Sequence, residues 1–385
     1  MGNSATLPDD LTLSKLELDL ARVCQEANQS QDRWIFHPAD ADTLNASATL
    51  GSTTTTASPV PNDVDTSLLL GITRKSTGTD TSPQNHQQLC TFYLAYSTWE
   101  GRVLFWDALV GGDGDANSTS NNDDKHENEI LWARLLAKIA SALYCRRLVW
   151  RHRDALPSAY GDNNHKELTA ETLHGWLTIH WEFPELQAFA PYSKEGNDST
   201  AALSTKQAFS MALKESHHDR FRLRLATDAD IDTIDRLVMG LAVFEKEPES
   251  YILSKQQLLQ DGFASHPLYY CILVDDTSLS EPRTCAMAFC YLGSELSKGR
   301  FLYLEDLFFE EAYRGKGGGK LLMSTLAKVA QSLGCTKAVW QALYWNSPAI
   351  NFYNSLGARV QEGLITSRFT GVALDTVAKL PLVDY

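Results

Sequence analysis

Between Leu304 and Leu322 the chain reads LEDLFFEEAYRGKGGGKLL. The acidic pair Glu305-Asp306 interrupts an apolar run, and a loop of Arg314, Gly315, Lys316, Gly317, Gly318, Gly319 and Lys320 opens an apolar segment. Leu321, Leu322, Leu326 and Val329 fall on one helical face, so the glycines stand at a helix N-terminus. Unpaired N–H groups and the positive end of the helix dipole make such a start an anion site. Residues without Cβ let a phosphate reach the backbone, and Arg314, Lys316 and Lys320 add positive charge. The loop is not a Walker motif, because neither Ser nor Thr follows the lysine. Nor is it a dinucleotide fingerprint, since its glycines are adjacent and no acidic residue follows the next strand. The chemistry expected of it is the holding of a phosphate.

The elements around the loop alternate. FRLRLAT (Phe221–Thr227) has the period of a strand, and Ile231, Ile234, Leu237, Val238, Leu241 and Phe244 form a helical stripe capped by Thr227 or Asp228. Three apolar runs, YYCILVDD, TCAMAFCYLG and RFLYLEDLFF, read as strands. GGKLLMSTLAKVAQSLG is an amphipathic helix closed by Gly334, TKAVWQALYW a strand, and SPAINFYNSLG a short helix from Pro348 to Gly357. The order predicts an α/β domain with a mixed central sheet flanked by helices.

Three polar stretches, Thr43–Ser67, Gly111–Glu129 and Ala190–Gln207, read as loops or linkers. The third divides the chain. The expected organisation is a first domain over 1–190, a linker over 191–219 and a second domain over 220–385, in keeping with a length of 385 residues.

A net charge of −14 disfavours a nucleic-acid surface and suits a cationic substrate. Seven scattered cysteines without a CxxC pair predict reduced core thiols, with neither a disulfide framework nor a metal site. No apolar run reaches the ~18–20 residues of a membrane span, and the N-terminus lacks a signal core, so no membrane partner and a cytoplasmic location are expected. Met1–Thr6 fits the N-myristoylation pattern at Gly2, without the following basic residues that firm anchoring needs.

Arg314-x-x-Gly317-x-Gly319 between a strand and a helix resembles the pyrophosphate loop of the GCN5-related N-acetyltransferases. LLQDGFASHPLYYCILV, LYLEDLFFEEAYRGKGGG and WNSPAINFYNSLGA are similar to their spermidine/spermine and thialysine branch, over most of Phe221–Tyr385. The resemblance implies acetyl-coenzyme A as co-substrate and direct attack by a primary amine of a small cationic substrate: a polyamine, a diamine, or a lysine-, ornithine- or thialysine-like amino acid. It implies that backbone groups of Lys316–Lys320 hold the pyrophosphate. Leu307, Phe308 and Phe309 would bind the pantetheine and acetyl oxygen, and Asn346 would contact the cofactor arm. Tyr353 would protonate the departing thiolate, and Glu305 would accept the amine's proton, through water. Glu245 and Glu295 would line the amine channel. Asp306, by simple strand alternation, falls on the face opposite Glu305 and is either structural or part of that lining. Two departures, Ser297 for an expected tryptophan and Glu362-Gly363-Leu364 for an acidic-aromatic pair, concern which amine is bound. Protein or peptide N-acetylation and non-catalytic acetyl-coenzyme A sensing are the alternatives.

FYLAYSTWEGRVLFWDALV (Phe92–Val110) reads like a second copy of FCYLGSELSKGRFLYLEDLFF, registered on Gly101-Arg102 and Gly299-Arg300. The first half is therefore expected to be a degenerate tandem copy of the same fold. Asp107 stands where Glu305 stands, and an acidic segment replaces the phosphate loop. Its expected place is that of a partner in an intramolecular pseudo-dimer, which leaves a homodimer of whole chains open.

Overall fold

In the computed structural model the described residues are 21–25, 34–38, 67–74, 87–111, 122–153, 169–190, 203–295 and 298–382. Gly2, Ser297 and most of Thr43–Ser67 lie outside them.

The described strands of the first half are β1 (Trp34–Pro38), β2 (Ser67–Arg74), β3 (Gln87–Ser97), β4 (Gly101–Gly111), β5 (Arg147–His152), β6 (Glu171–Thr172) and β7 (Trp176–Glu182). Helix α1 (Asn122–Ala142) joins β4 to β5, and α2 (Glu185–Phe189) follows β7. After α3 (Thr205–Lys214) come β8 (Phe221–Leu225), α4 (Ile231–Phe244), α5 (Lys255–Phe263), β9 (Tyr270–Asp276), β10 (Arg283–Glu295) and β11 (Gly299–Phe309). Helix α6 (Gly318–Ser332), β12 (Lys337–Leu343), α7 (Ser347–Ser355), β13 (Arg359–Val360), β14 (Ile365–Thr370) and α8 (Gly371–Lys379) complete the chain.

These strands form two sheets of seven, in the orders β1-β2-β3-β4-β5-β14-β6 and β8-β9-β10-β11-β12-β7-β13. The orders are the same except that each sheet holds the other half's closing strand. β7 pairs antiparallel with β12 along Lys337–Leu343 and with β13, whereas β14 pairs antiparallel with β5 and β6. In each sheet one neighbouring pair is parallel, β4 with β5 and β11 with β12. The mixed α/β fold therefore occurs twice, and the two copies exchange an edge.

The helix after each exchanged strand travels with it. Leu186 of α2 is fully buried, Trp181 of β7 lies 6.4 Å from Trp340, and Gln331 of α6 donates to the Ala190 carbonyl at 2.6 Å. On the other side Phe369 of β14 packs 5.3 Å from Trp150, and Lys138 of α1 donates to the Ala378 carbonyl at 2.7 Å. Fully burying a side chain of this kind is worth roughly 1.5–3 kcal/mol, so a few such anchors compare with a whole domain's net stability of about 5–15 kcal/mol.

Two boundaries differ from the sequence expectation. The polar stretch Gly111–Glu129 is helical from Asn122, because the apolar face of α1 pulls its polar first turns into the helix. The expected linker contains α3, which starts on a capping box of Ser204 and Gln207 and buries Ala208, Phe209 and Ala212 against the second sheet.

The halves meet through one shared core. It runs from Tyr93, Tyr96 and Phe105 of the first sheet to Leu237, Leu241, Leu258, Tyr269 and Phe301 of the second half. Within this seam Arg102 of β4 donates through Nε and Nη2 to Asp261 Oδ1 of α5 at 3.0 and 2.7 Å, and both residues are 2% exposed. Burial pushes the Asp261 carboxyl above its usual range, against the opposing pull of Arg102. Breaking such a pair from one side strands a charge, whereas replacing both partners with apolar groups does not. Arg102→Met is expected to cost about 3–5 kcal/mol in urea unfolding, and Arg102→Met/Asp261→Leu to recover most of it. Equal losses in the single and double variants would show that the pair is not what holds this point of the seam.

Candidate active site

Strand β11 carries one irregularity, and the site is built on it. Phe289 pairs with Asp306 and Cys290 with Leu304, so Glu305 is an extra residue without a partner on β10. An alternating strand would put Glu305 and Asp306 on opposite faces. The bulge resets the alternation. Tyr303 and Phe308 belong to the seam core, and Leu304, Leu307 and Phe309 to the core under α6, so both carboxylates face the seam. The expectation that Asp306 points away from Glu305 is corrected by this extra residue.

The bulge also ends the parallel pairing. β11 and β12 are partnered only from Phe301/Lys337 to Leu304/Trp340, and β12 continues along β7. The β12-facing edge of Glu305–Phe309 is therefore left without a strand partner, which exposes backbone hydrogen-bonding groups at Leu307, Phe308 and Phe309. In the first sheet Thr91 pairs with Ala108 and Phe92 with Trp106, leaving Asp107 as the extra residue at the matching place. The repeat thus extends to the bulge itself.

Three half-buried acids gather at the opening. Thr98 of the first half donates to Asp306, whose carboxyl is raised to about 6 by burial in spite of that bond. Glu245, at the C-terminus of α4, is raised to about 8 by burial and by the charges of Asp306 and Glu247. Burial and Asp306 push Glu305 well above the carboxylate range, against Arg147 and Arg151. Tyr353 of α7 packs 4.9 Å from Trp340 and is 7% exposed. Burial, then Asp306 and Glu245, raise its phenol, which keeps it protonated.

Glu295 is not part of this group. It accepts from Lys337 Nζ at 2.7 and 2.8 Å at the β10–β11 hairpin, six residues along β11 from Glu305, or roughly 20 Å. What faces the acids instead is the equivalent hairpin of the first half, Ser97–Gly101. It carries Trp99 where the second half has Ser297, and its Trp99 carbonyl accepts from the N–H groups of Ile252 and Leu253. Thr98 escaped the sequence reading because only the tertiary fold brings it to Asp306. The repeat register already paired Trp99 with Ser297 and was the available signal.

The glycine loop lies at the start of α6, as expected. Gly317 precedes the helix at φ 88°, in the left-handed region, and provides no side-chain cap for the helix's first N–H groups. A Cβ there would come within 2.9 Å of His218 Nε2, and one on Gly318 within 2.7 Å of the Phe309 ring. Arg314 is turned back, donating to the Phe309 carbonyl at 3.0 Å with its guanidinium 4.5 Å from the Phe244 ring centre. Lys316 donates to the Ala312 carbonyl and Lys320 lies over Phe189. Gly315 is left-handed as well, and Gly319 is close to Phe352. Asn346 caps α7, accepting from the Ala349 N–H at 3.4 Å.

An opened strand pair thus lies beside a glycine-rich helix start, with acids and a buried tyrosine at the opening. Residues 233–358 match the acetyltransferase (GNAT) family. The chain is 34% identical over 163 residues to the thialysine N-epsilon-acetyltransferase of Bos taurus, covering 40% of this chain and 96% of that protein. It is 30% identical over 202 residues to an L-ornithine N5-acetyltransferase of Arabidopsis thaliana, covering 88% of it. It is 32% identical over 149 residues to the spermidine/spermine N(1)-acetyltransferase-like protein 1 of Homo sapiens, of which it covers 21%. The chain belongs to the acetyltransferase (GNAT) family.

Glu245 gives a stability test with a definite sign. Its folded carboxyl titrates at about 8 against an ordinary value of 4.5, so the folded protein holds a proton that the unfolded chain has released. The associated stability is present below the ordinary value and lost as pH rises toward 8. Glu245→Gln is expected to raise Tm relative to wild type at pH 8.5 and hardly at all at pH 4.5. A constant difference across that range would refute the raised titration.

Proposed function

We propose that the second half transfers acetyl from acetyl-coenzyme A to a primary amine of a small cationic substrate by direct attack. The observation that carries this reading is the bulge at Glu305, which turns two carboxylates toward the point where β11 leaves β12. The opened backbone and the loop suit the cofactor: the uncapped helix start and left-handed Gly317 offer N–H groups to a pyrophosphate without Cβ obstruction. Arg314 acts by bracing Phe309 and the loop. Acetyl-coenzyme A, when bound, supplies a thioester with an electrophilic carbonyl and a thiolate leaving group.

The residues divide the remaining work. Backbone N–H groups at Leu307–Phe309 polarise the acetyl oxygen. Asp306, oriented by Thr98, attracts the substrate cation, and Glu245, which keeps its proton up to about pH 8, offers the ammonium a carbonyl acceptor. Glu305 accepts a proton from the ammonium through water, so that the free amine forms the C–N bond as the C–S bond breaks. Tyr353 returns a proton to sulfur. Its hydroxyl is suited to this because it stays protonated and has no hydrogen-bond partner among the described residues.

Thiol release with spermidine, cadaverine, L-ornithine and L-lysine tests the reading, and release with none of them would reject it. Tyr353→Phe is expected to lower kcat by roughly 10²–10⁴-fold with little change in acetyl-coenzyme A affinity. Full activity in that variant would remove Tyr353 from its role. Gly317→Asp is expected to abolish cofactor binding, because a carboxylate would oppose the pyrophosphate at a strained left-handed position. Wild-type affinity by calorimetry would contradict the loop's assignment.

A further inference from the structure

Glu305 faces a cavity of about 60 Å³ on the seam, whose other wall is the first half. Three arginines line it: Arg147 and Arg151 from β5, and Arg368 from the exchanged β14. Two of them are neutralised. Arg147 pairs with Glu100, its Nε donating at 2.7 Å, and Arg368 with Glu171 at 2.8 and 3.1 Å.

Arg151 is different. Its guanidinium lies 4.7 Å from the Phe105 ring centre and 5.4 Å from that of Tyr303, and Nη2 donates to the Tyr303 hydroxyl at 3.2 Å. Nε is buried and has no hydrogen-bond partner. Among the described residues no carboxylate forms an ion pair with it, and none of its partners carries formal charge. Held against two aromatic rings and by the Tyr303 hydroxyl, the guanidinium keeps donors available for a planar anion. The one carboxyl group among the residues lining the cavity is that of Glu305, which makes neither a hydrogen bond nor an ion pair among the described residues.

One fixed cation and one unpaired carboxyl group thus share a cavity without touching. A buried cation without a counter-ion is costly, and a ligand that brings an anion removes that cost. A polyamine brings only positive charge. An amino acid with an amine at its far end brings a carboxylate as well, so its amine can lie at Glu305 while its carboxylate reaches the arginine.

We infer that Arg151, donated by the first half, is a carboxylate subsite that makes the acetyl acceptor an α-amino acid with a terminal side-chain amine in preference to a di- or polyamine. This inference rests on the acetyl transfer proposed above and deepens it. Tyr303 accepts from the guanidinium and fixes it. The second half holds the reacting groups, and the first half reads the far end of the substrate.

The test compares each amino acid with its decarboxylated counterpart: L-lysine with cadaverine, and L-ornithine with putrescine. The ratio of kcat/KM within each pair is read in wild type, Arg151→Gln and Arg151→Lys. Wild type is expected to favour the amino acid. Arg151→Gln is expected to lower the ratio by roughly 10–100-fold, the scale of a charge-assisted pair, and Arg151→Lys to lower it less. Equal use of both members by wild type, or a ratio that ignores Arg151→Gln, overturns the inference while leaving acetyl transfer standing. If no amine is acetylated, the acetyl-transfer reading fails instead, and calorimetry decides the subsite. Binding of L-lysine to wild type that exceeds that of cadaverine and weakens in Arg151→Gln supports it, and equal or absent L-lysine binding overturns it. The cadaverine comparison with wild type stands even if a variant fails to fold.

Discussion

The exchange of β7 and β14 is the constraint on which the rest of the molecule depends. A β-strand with an open edge presents unpaired backbone groups, and β12 without β7 would offer seven residues of them. Each half satisfies the other's edge, and each donated strand brings a helix that closes the recipient's core. Neither sheet is complete on its own. Because the linkage is covalent, the pairing occurs at the high effective concentration that a tether gives. The seam can then be organised for chemistry, since its existence no longer depends on a second molecule.

At that seam the extra residue in β11 does two jobs by one geometric change. It removes a residue from the β10 ladder, and it breaks the alternation that would have separated Glu305 from Asp306. The result is a like-charge pair in a partly desolvated place, which Glu245 extends. Such acids share protons reluctantly and titrate upward, which suits groups that must accept a proton near neutral pH. The cost of grouping them is offset locally by Thr98 and by the β5 arginines Arg147 and Arg151. Both come from the first half. Electrostatics, like the strand order, couples the two copies.

What could be read in the sequence was whatever is local along the chain. The glycine loop, the first turn of α7 at Pro348, and the end of α6 at Gly334 are set by neighbours within a few residues, and they lie where expected. The repeat was visible through Gly101-Arg102 and Gly299-Arg300 because a hairpin fixes its own register. What could not be read depends on distant partners. Asp306 was placed on the wrong face because a bulge leaves no mark in the residue pattern. Glu295 looked available because nothing nearby in sequence announces Lys337, 42 positions on, as its buried counter-ion. Nor do the letters of WLTIHWE say which sheet that strand closes.

The two halves also show how a duplicated fold can divide labour. Asp107 retains the bulge and the position of Glu305, and Thr91 donates to it at 2.9 Å within its own sheet. The connection after β4 is rich in Asp and Asn where the second half has glycines and lysines, so a pyrophosphate would meet negative charge there. The first half also carries the features that its neighbour contacts. These are the strand that fills the edge between β12 and β13, the hairpin that sets Thr98 against Asp306, and the β5 side chains that face Glu305. Arg151 occupies in β5 the place that Gln341 holds in β12, one residue beyond the paired tryptophans Trp150 and Trp340. Identical positions in the two copies thus carry different chemistry. Gln341 donates to the exchanged strand through Thr366 at 2.9 Å, whereas Arg151 presents charge across the seam. Duplication with exchange places side chains of one copy against the candidate site of the other, where a substitution can change the surroundings of that site without changing its own groups.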